Sequence, residues 1–164
     1  MKKILITVLA LIINISLIYS QERNLPNIEV KTLDGNSFNI QELENDNNPI
    51  VISFWATWCS PCKRELNTYM DYYGDWQDET GVKIVAVSID DSRSTNRVSP
   101  YIMSSGWEFE ILLDPAGDFK RAMQVMNVPH TFLYNGNGEL VWSHNNYAEG
   151  DEEELYEELL KLVD

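Results

Sequence analysis

Two cysteines, placed where an apolar run meets a helical pattern, constrain this chain more than any other feature. They lie in the stretch Cys59-Ser60-Pro61-Cys62 and are the only two cysteines among 164 residues. The run before them, residues 50–55, lacks regular polar alternation, which is typical of a strand buried on both faces. Pro61 suits the first turn of a helix, because an N–H at that position would have no helical partner. The sequence therefore predicts a strand that leads into a helix through the two thiols.

The phase of this predicted helix gives the two sulfurs different surroundings. Apolar side chains recur at helical spacing from Cys62 to Trp76, and Gly81 supplies a stop signal. This phase predicts that Cys62 lies on the buried face, and that Cys59, one turn earlier, lies at the exposed tip. Unpaired amides and the helix dipole favour a thiolate at such a tip, and a thiolate beside a second thiol can exchange disulfides.

The first 20 residues have the layout of a secretory signal peptide. A short basic segment precedes an apolar run at residues 4–18, and the small Ser20 suits the position before a cut. The run is shorter than the roughly 20 residues of a membrane-spanning helix, so a cleaved signal is favoured over a retained anchor. We therefore expect a signal peptide at residues 1–20, one domain at residues 21–164, and export to the periplasm or cell envelope. Outside the reducing cytosol, a single cysteine pair can persist or cycle as a disulfide.

Strand-like and helical segments alternate along the rest of the chain. This pattern predicts an α/β fold: a mixed central sheet with helices on both faces, an N-terminal β-hairpin and an inserted helix–strand unit. The hairpin turns at Asp34-Gly35, a strong hairpin signal. The later segments are strands at residues 82–89 and 109–113, helices at residues 99–105 and 119–126, a second hairpin at residues 131–143 and a last helix from Asp151. Met123 and Met126 are expected to fill the core side of the second of these helices.

The order of these elements and three motif blocks resemble the thioredoxin superfamily, and more narrowly its exported TlpA/ResA-type thiol–disulfide oxidoreductases. The blocks are residues 32–35 (TLDG), 53–65 (SFWATWCSPCKRE) and 127–133 (NVPHTFL). The similarity runs from about Asn27 to the C-terminus. It implies a thioredoxin-like fold and an enzyme that exchanges disulfides with protein partners without a cofactor. We expect such a protein to be a monomer.

The resemblance also implies roles for the residues around the motif. Cys59 is implied to be the attacking thiol, and Cys62 the resolving thiol that frees the partner from a mixed disulfide. Pro129 matches the cis-proline of the family, which implies a cis bond after Val128 and a Val128 backbone available to an incoming extended peptide. Trp58 is similar to the family's aromatic wall and is expected to contribute to partner binding.

Two positions depart from the patterns of these families. Ser53 stands where thioredoxin has a buried aspartate, and Glu65, one turn after Cys62, is the substitute that geometry and the TlpA/ResA pattern suggest. We expect Glu65 to carry the Cys62 proton; the alternative is a solvated glutamate of the first turn. His130 occupies a place where a small hydroxyl residue is common. It either contacts the attacking thiol or is a neutral filler, and the filler is favoured.

Within this resemblance, the expected activity is reduction of protein disulfides in the cell envelope. Such proteins keep apocytochrome c cysteines reduced or serve envelope redox repair, and they draw electrons from a membrane or periplasmic donor. A disulfide oxidase or isomerase is the alternative among enzymes. A binding module with a permanent disulfide is the alternative outside them, because a fold alone does not establish activity.

Charge and spacing argue against other function classes. The formal net charge of −14 disfavours nucleic acid and anionic membranes as partners. A zinc site needs about four ligands, and two cysteines with two separated histidines do not supply them, so no metal is expected. A peroxiredoxin-type peroxidase needs Pro-x-x-x-Thr-x-x-Cys. Here Thr57 lies only two residues before Cys59, and Ser53 stands at the proline position.

Overall fold

The computed structural model describes residues 25–163, so the predicted signal peptide lies outside the described residues. Within this range, no helix is long and apolar enough to cross a membrane. The strands are β1 (Glu29–Thr32), β2 (Ser37–Asn39), β3 (Ile50–Trp55), β4 (Lys83–Ser88), β5 (Glu110–Leu113), β6 (His130–Tyr134) and β7 (Leu140–Asn145). The α-helices are α1 (Ser60–Thr80), α2 (Val98–Ser105), α3 (Asp118–Ala122) and α4 (Asp151–Leu160).

The described strands form one seven-stranded mixed sheet in the order β2-β1-β5-β4-β3-β6-β7. The three central strands β5, β4 and β3 run parallel to one another, and the outer pairings are antiparallel. The β1–β2 hairpin turns at Gly35, whose φ of 82° lies in the left-handed region that glycine tolerates. The predicted mixed sheet, N-terminal hairpin and inserted α2–β5 unit are therefore confirmed.

Helices cover both faces of the sheet, because the central strands carry apolar side chains on both faces. In β3, Val51 and Trp55 pack into a cluster with the buried faces of α1, α2 and α4. The alternate residues Ile52 and Phe54 pack on the opposite side with Phe119 of α3. This alternation is what period-two side-chain geometry requires of a strand between two apolar layers. Because β3 lies inside the sheet, between β4 and β6, its C-terminal end and the start of α1 lie away from the edge strands.

Helix α1 follows the sequence pattern closely. Pro61 lies in its first turn, and Cys59 is the residue that caps it. The helix ends at Gly81, which has a φ of 68° and donates its N–H to the Gln77 carbonyl. A side chain at Gly81 would meet the Asn48 side chain at 2.8 Å, so both the conformation and the space favour glycine. The predicted apolar stripe of this helix is confirmed as its buried face.

The prediction for residues 119–126 is wrong in its second half. Helix α3 ends at Ala122, and Gln124 adopts a φ of 57°, which turns the chain away from the helix axis. Val125 is buried as a result, whereas Met126 is 81% exposed rather than part of the core. The apolar spacing in this segment was compatible with a longer helix, but the chain must bend there to reach β6.

We expect the packing of α1 on the sheet to dominate the stability of the domain. Leu66 is fully buried in the apolar cluster between α1 and the sheet. Leu66→Ala should therefore lower the free energy of unfolding by about 3 kcal/mol, through lost burial and the cavity that remains. Met103 of α2 is 82% exposed, so Met103→Ala should change the free energy of unfolding by less than about 0.5 kcal/mol. Urea unfolding with an unchanged m-value would measure both effects. Equal losses in the two variants would contradict this packing.

Candidate active site

Cys59 and Cys62 form a disulfide at the N-terminus of α1. The Cys59 backbone is extended, and its sulfur accepts a hydrogen bond from the Cys62 N–H at 3.3 Å. Cys62 is fully buried, as predicted. Cys59 is not at an exposed tip, since only 5% of its surface is accessible. The two sulfurs differ in exposure, but by less than the helical phase suggested.

The loop before β6 lies against Cys59. The Val128–Pro129 peptide bond is cis, as the resemblance implied. The Val128 carbonyl oxygen lies 3.6 Å from the Cys59 sulfur. The residue that follows β7 anchors the loop, because the Asn146 N–H donates to the Pro129 carbonyl at 2.9 Å. The structure thus brings the Cys59–Cys62 disulfide next to the Val128–Pro129 loop, although Cys59 and Val128 are 69 positions apart in the sequence.

Glu65 is buried beneath the motif and surrounded by hydroxyl groups. Ser53 Oγ donates to Glu65 Oε2 at 2.8 Å. Thr131 Oγ1 and Tyr69 OH donate to Oε1 at 3.0 Å and 3.2 Å. Only 1% of Glu65 is exposed, which rules out the alternative of a solvated glutamate.

Three different elements supply these donors. Ser53 of β3 and Thr131 of β6 are directly paired across the antiparallel ladder, on the face that packs against α1. Tyr69 follows Glu65 by one helical turn, so its hydroxyl can reach the same carboxyl group. Our sequence reasoning did not identify Thr131 and Tyr69. Two polar residues in otherwise apolar strands were the available signal for the Ser53–Thr131 pair.

Burial raises the pKa of Glu65 from its ordinary 4.5 to about 7. The three hydroxyl donors oppose this shift, because they stabilise the carboxylate, and the negative charge of Asp151 adds to it. The rise means that desolvation outweighs the hydrogen bonds. A carboxyl group with such a pKa can both take and release a proton near neutral pH, which is the property that general acid–base chemistry requires.

Asp90 anchors the segment between β3 and the motif, and our sequence reasoning missed it. Its carboxylate accepts from the Thr57 N–H at 2.8 Å, from Thr57 Oγ1 at 2.6 Å and from Ser88 Oγ at 2.9 Å. Only 1% of Asp90 is exposed. A charged residue two positions after the end of the buried β4 was the signal that could have found it. These contacts fix the backbone just before Trp58 and Cys59.

The remaining predicted site residues lie at the edge of this cluster. Trp58 is 62% exposed beside the disulfide. His130 stacks on Phe132, with ring centroids 4.2 Å apart, and its Nδ1 lies 3.2 Å from Asn145 Nδ2. Burial lowers the pKa of His130, so its neutral form is favoured. Within residues 25–163, no cluster of three or more His, Cys, Asp or Glu side chains is arranged to hold a metal ion.

Comparison with known proteins agrees with this geometry. Residues 22–143 match the model of the AhpC/TSA family. The chain belongs to this family. It is 31% identical over 137 residues to the thiol-disulfide oxidoreductase ResA of Halalkalibacterium halodurans, covering 84% of this chain and 73% of that protein. With the Cys59–Cys62 disulfide in place, the chain is a thiol–disulfide oxidoreductase of the ResA type.

Solved structures support the thioredoxin-like fold. The solution structure of an uncharacterized thioredoxin-like protein from Porphyromonas gingivalis is 47% identical, with a TM-score of 0.77 over 85% of this chain and 91% of that one. The crystal structure of StoA from Bacillus subtilis is 24% identical, with a TM-score of 0.63 over 80% of this chain and 99% of that one. At that identity, the StoA structure shows the fold alone. The predicted fold class is confirmed.

The raised pKa of Glu65 predicts a pH-dependent cost to stability in the oxidised protein. The native carboxyl holds its proton up to about pH 7, whereas the unfolded one releases it near 4.5, so the wild type loses stability as the pH rises through this window. Glu65→Gln has no proton to lose. The free energy of unfolding of Glu65→Gln minus that of the wild type should therefore rise by about 3 kcal/mol as the pH increases from 4.5 to about 7.

Urea unfolding at a series of pH values would measure this difference. Glu157→Gln, at an exposed position of α4, is the matched control, because it removes the same charge outside the core. A pH-independent difference for Glu65→Gln, or the same trend in the control, would show that Glu65 is not the titrating group.

Proposed function

We propose that this protein reduces disulfides of partner proteins in the cell envelope, with Cys59 as the attacking thiol and Cys62 as the resolving thiol. The observation that carries the proposal is Glu65, buried one turn after Cys62 and titrating near neutral pH. When ionised, its carboxylate opposes formation of a second negative charge on the nearby sulfur. A thiol–disulfide oxidoreductase is a strong oxidant when its reduced form is stabilised. Ionised Glu65 destabilises the reduced form, and it therefore favours a reductase over an oxidase.

The proposed reaction has two exchange steps. The Cys59 thiolate attacks one sulfur of the partner disulfide, a mixed disulfide forms, and the other partner sulfur leaves as a thiolate. Glu65 then accepts the Cys62 proton, and the Cys62 thiolate attacks the Cys59 sulfur. The mixed disulfide breaks, the partner leaves with both its sulfurs reduced, and the Cys59–Cys62 disulfide remains. Two electrons pass from the protein to its partner in each cycle.

Partner binding is proposed to use the rim of the disulfide. The cis loop holds the Val128 carbonyl beside Cys59, where an incoming extended segment can pair with the backbone. Trp58 offers a large exposed ring next to the sulfurs, and His130 follows Pro129 at the start of β6. Trp58, Val128, Pro129 and His130 form the proposed substrate-binding site.

The proposed cellular setting follows from the N-terminal sequence and the resemblance. A signal peptide at residues 1–20 would direct the domain at residues 21–164 to the envelope, where the protein acts as a monomer. A membrane or periplasmic donor would return electrons to the disulfide after each cycle. Apocytochrome c cysteines are the proposed type of substrate, because TlpA/ResA-type proteins, which the chain resembles, act on them.

We expect Cys62→Ser to trap partner proteins on Cys59. Without the resolving thiol, the mixed disulfide persists and should appear as a higher-mass band that is lost on treatment with a strong reductant. Cys59→Ser is the matched control and should trap little, because its remaining thiol is buried. If neither variant captures partners in an envelope fraction, a binding module with a permanent disulfide is the better description.

The reduction potential separates a reductase from an oxidase. We expect a potential near that of thioredoxin, about −270 mV, in a glutathione redox titration, whereas a value near −120 mV would establish an oxidase instead. Above pH 7, Glu65→Gln should raise the potential by roughly 30 mV, because removal of the carboxylate stabilises the reduced form. Unchanged potentials in this variant across the pH range would remove Glu65 from the redox mechanism.

A further inference from the structure

A groove of about 310 Å³ lies between α1 and α4, towards the C-terminal end of α1. Its first wall residue, Tyr72, follows Cys62 by ten positions, which corresponds to about 15 Å along the helix. The groove is therefore separate from the disulfide and from the residues assigned above to disulfide exchange.

Three aromatic rings form the base and walls of this α1–α4 groove. Tyr72 and Trp76 stack with centroids 6.0 Å apart and an interplanar angle of 13°. Trp76 and Tyr156 stack with centroids 5.9 Å apart and an angle of 9°. Trp76 is only 4% exposed, whereas Tyr72 is 47% exposed. The groove thus exposes the Tyr72 ring on a stack whose middle member, Trp76, is buried.

Four carboxylates complete the lining, and no lysine or arginine belongs to it. Glu79 accepts a hydrogen bond from Tyr156, and Glu152 accepts one from Tyr147 at 2.9 Å. The side chains of Asp75 and Glu153 form no hydrogen bond or ion pair with any other residue of the described part of the chain. The negative charge of the groove is therefore not neutralised within residues 25–163.

We propose that the α1–α4 groove binds an arginine-bearing segment of a partner protein. A guanidinium group is planar, stacks on aromatic faces and pairs with carboxylates through two parallel hydrogen bonds. The groove offers both kinds of contact within one site. A lysine ammonium is a compact and more strongly hydrated charge, so it gains less from the aromatic face. The net charge of −14 further favours a basic partner.

A second groove extends this site towards the N-terminal end of α1. It has a volume of about 400 Å³, shares Tyr72 and Glu152 with the first, and reaches Arg64 in the second turn of the helix. An extended segment of about five residues covers the 15 Å between Tyr72 and the motif. A partner anchored by its arginine can thus present a nearby cysteine to the disulfide, although arginine binding does not depend on disulfide exchange.

Direct binding of a short Gly-Ser peptide that carries arginine and lacks cysteine tests the proposal. Isothermal titration calorimetry at low ionic strength should show saturable binding to the oxidised full-length protein. The peptide with lysine in place of arginine should bind roughly threefold more weakly. Equal binding of the two peptides, or no saturable binding of the arginine peptide, would overturn the proposal.

Paired charge variants separate the groove from general attraction to an acidic protein. Asp75→Asn with Glu153→Gln removes two groove charges and should weaken arginine-peptide binding roughly fivefold. Asp78→Asn with Glu157→Gln removes two exposed charges from the same helices outside the groove lining and should leave binding within about twofold. Equal losses in both pairs would mean that no specific site exists.

Tyr72 variants separate aromatic stacking from simple apolar contact. Tyr72→Phe keeps the aromatic face and should bind the arginine peptide as the wild type does. Tyr72→Leu keeps apolar bulk without the ring and should bind it roughly fivefold more weakly. Both variants retain the cysteines, so trapping by Cys62→Ser remains an independent measure of disulfide exchange. If Tyr72→Leu binds like Tyr72→Phe, the guanidinium does not stack in the groove.

Discussion

The hydrogen-bonded burial of Glu65 is the interaction on which the rest of the site depends. A carboxyl group in an apolar core is costly unless its oxygens are satisfied, and here Ser53, Tyr69 and Thr131 satisfy them. All three donors are neutral. An arginine or lysine partner would hold the carboxylate ionised and lower its pKa, whereas hydroxyls leave desolvation dominant. The choice of neutral donors therefore allows the group to exchange a proton near pH 7.

The same hydrogen bonds fix the relative positions of the reactive groups. Glu65 lies one turn after Cys62, and Thr131 lies two residues after Pro129, so their contact ties the disulfide helix to the cis loop. Asp90, in the loop that follows the neighbouring strand β4, holds Thr57 and fixes the chain just before the motif. A shift of α1 along the sheet would break a buried polar contact at one of these points, and an unpaired buried group is destabilising. Rigid placement of the sulfurs thus follows from polar contacts as much as from the apolar core.

Much of this could be predicted from local sequence patterns, and the failures have a common cause. Period-two and helical spacing, the Asp-Gly turn and the stop at Gly81 specify elements within a few residues of themselves. Cys59 is instead contacted by a carbonyl 69 positions away, and a donor to Glu65 lies 66 positions away. The bend at Gln124 is set by where β6 must begin, although the apolar spacing of residues 119–126 continues through it. Contacts between distant segments decide these features, and one sequence does not encode them as a local pattern.

The small exposure of Cys59 bears on how such a protein can select its partners. With 5% of its surface accessible and the Val128 carbonyl 3.6 Å from its sulfur, Cys59 offers a partner little side-chain surface to recognise. In the binding mode proposed above, backbone pairing at that loop is tolerant of sequence, since it uses main-chain groups that every partner has. Discrimination by charge must then come from surfaces beyond the sulfurs. The aromatic and acidic groove between α1 and α4, which begins about 15 Å along α1 from Cys62, is the surface that we propose for this discrimination.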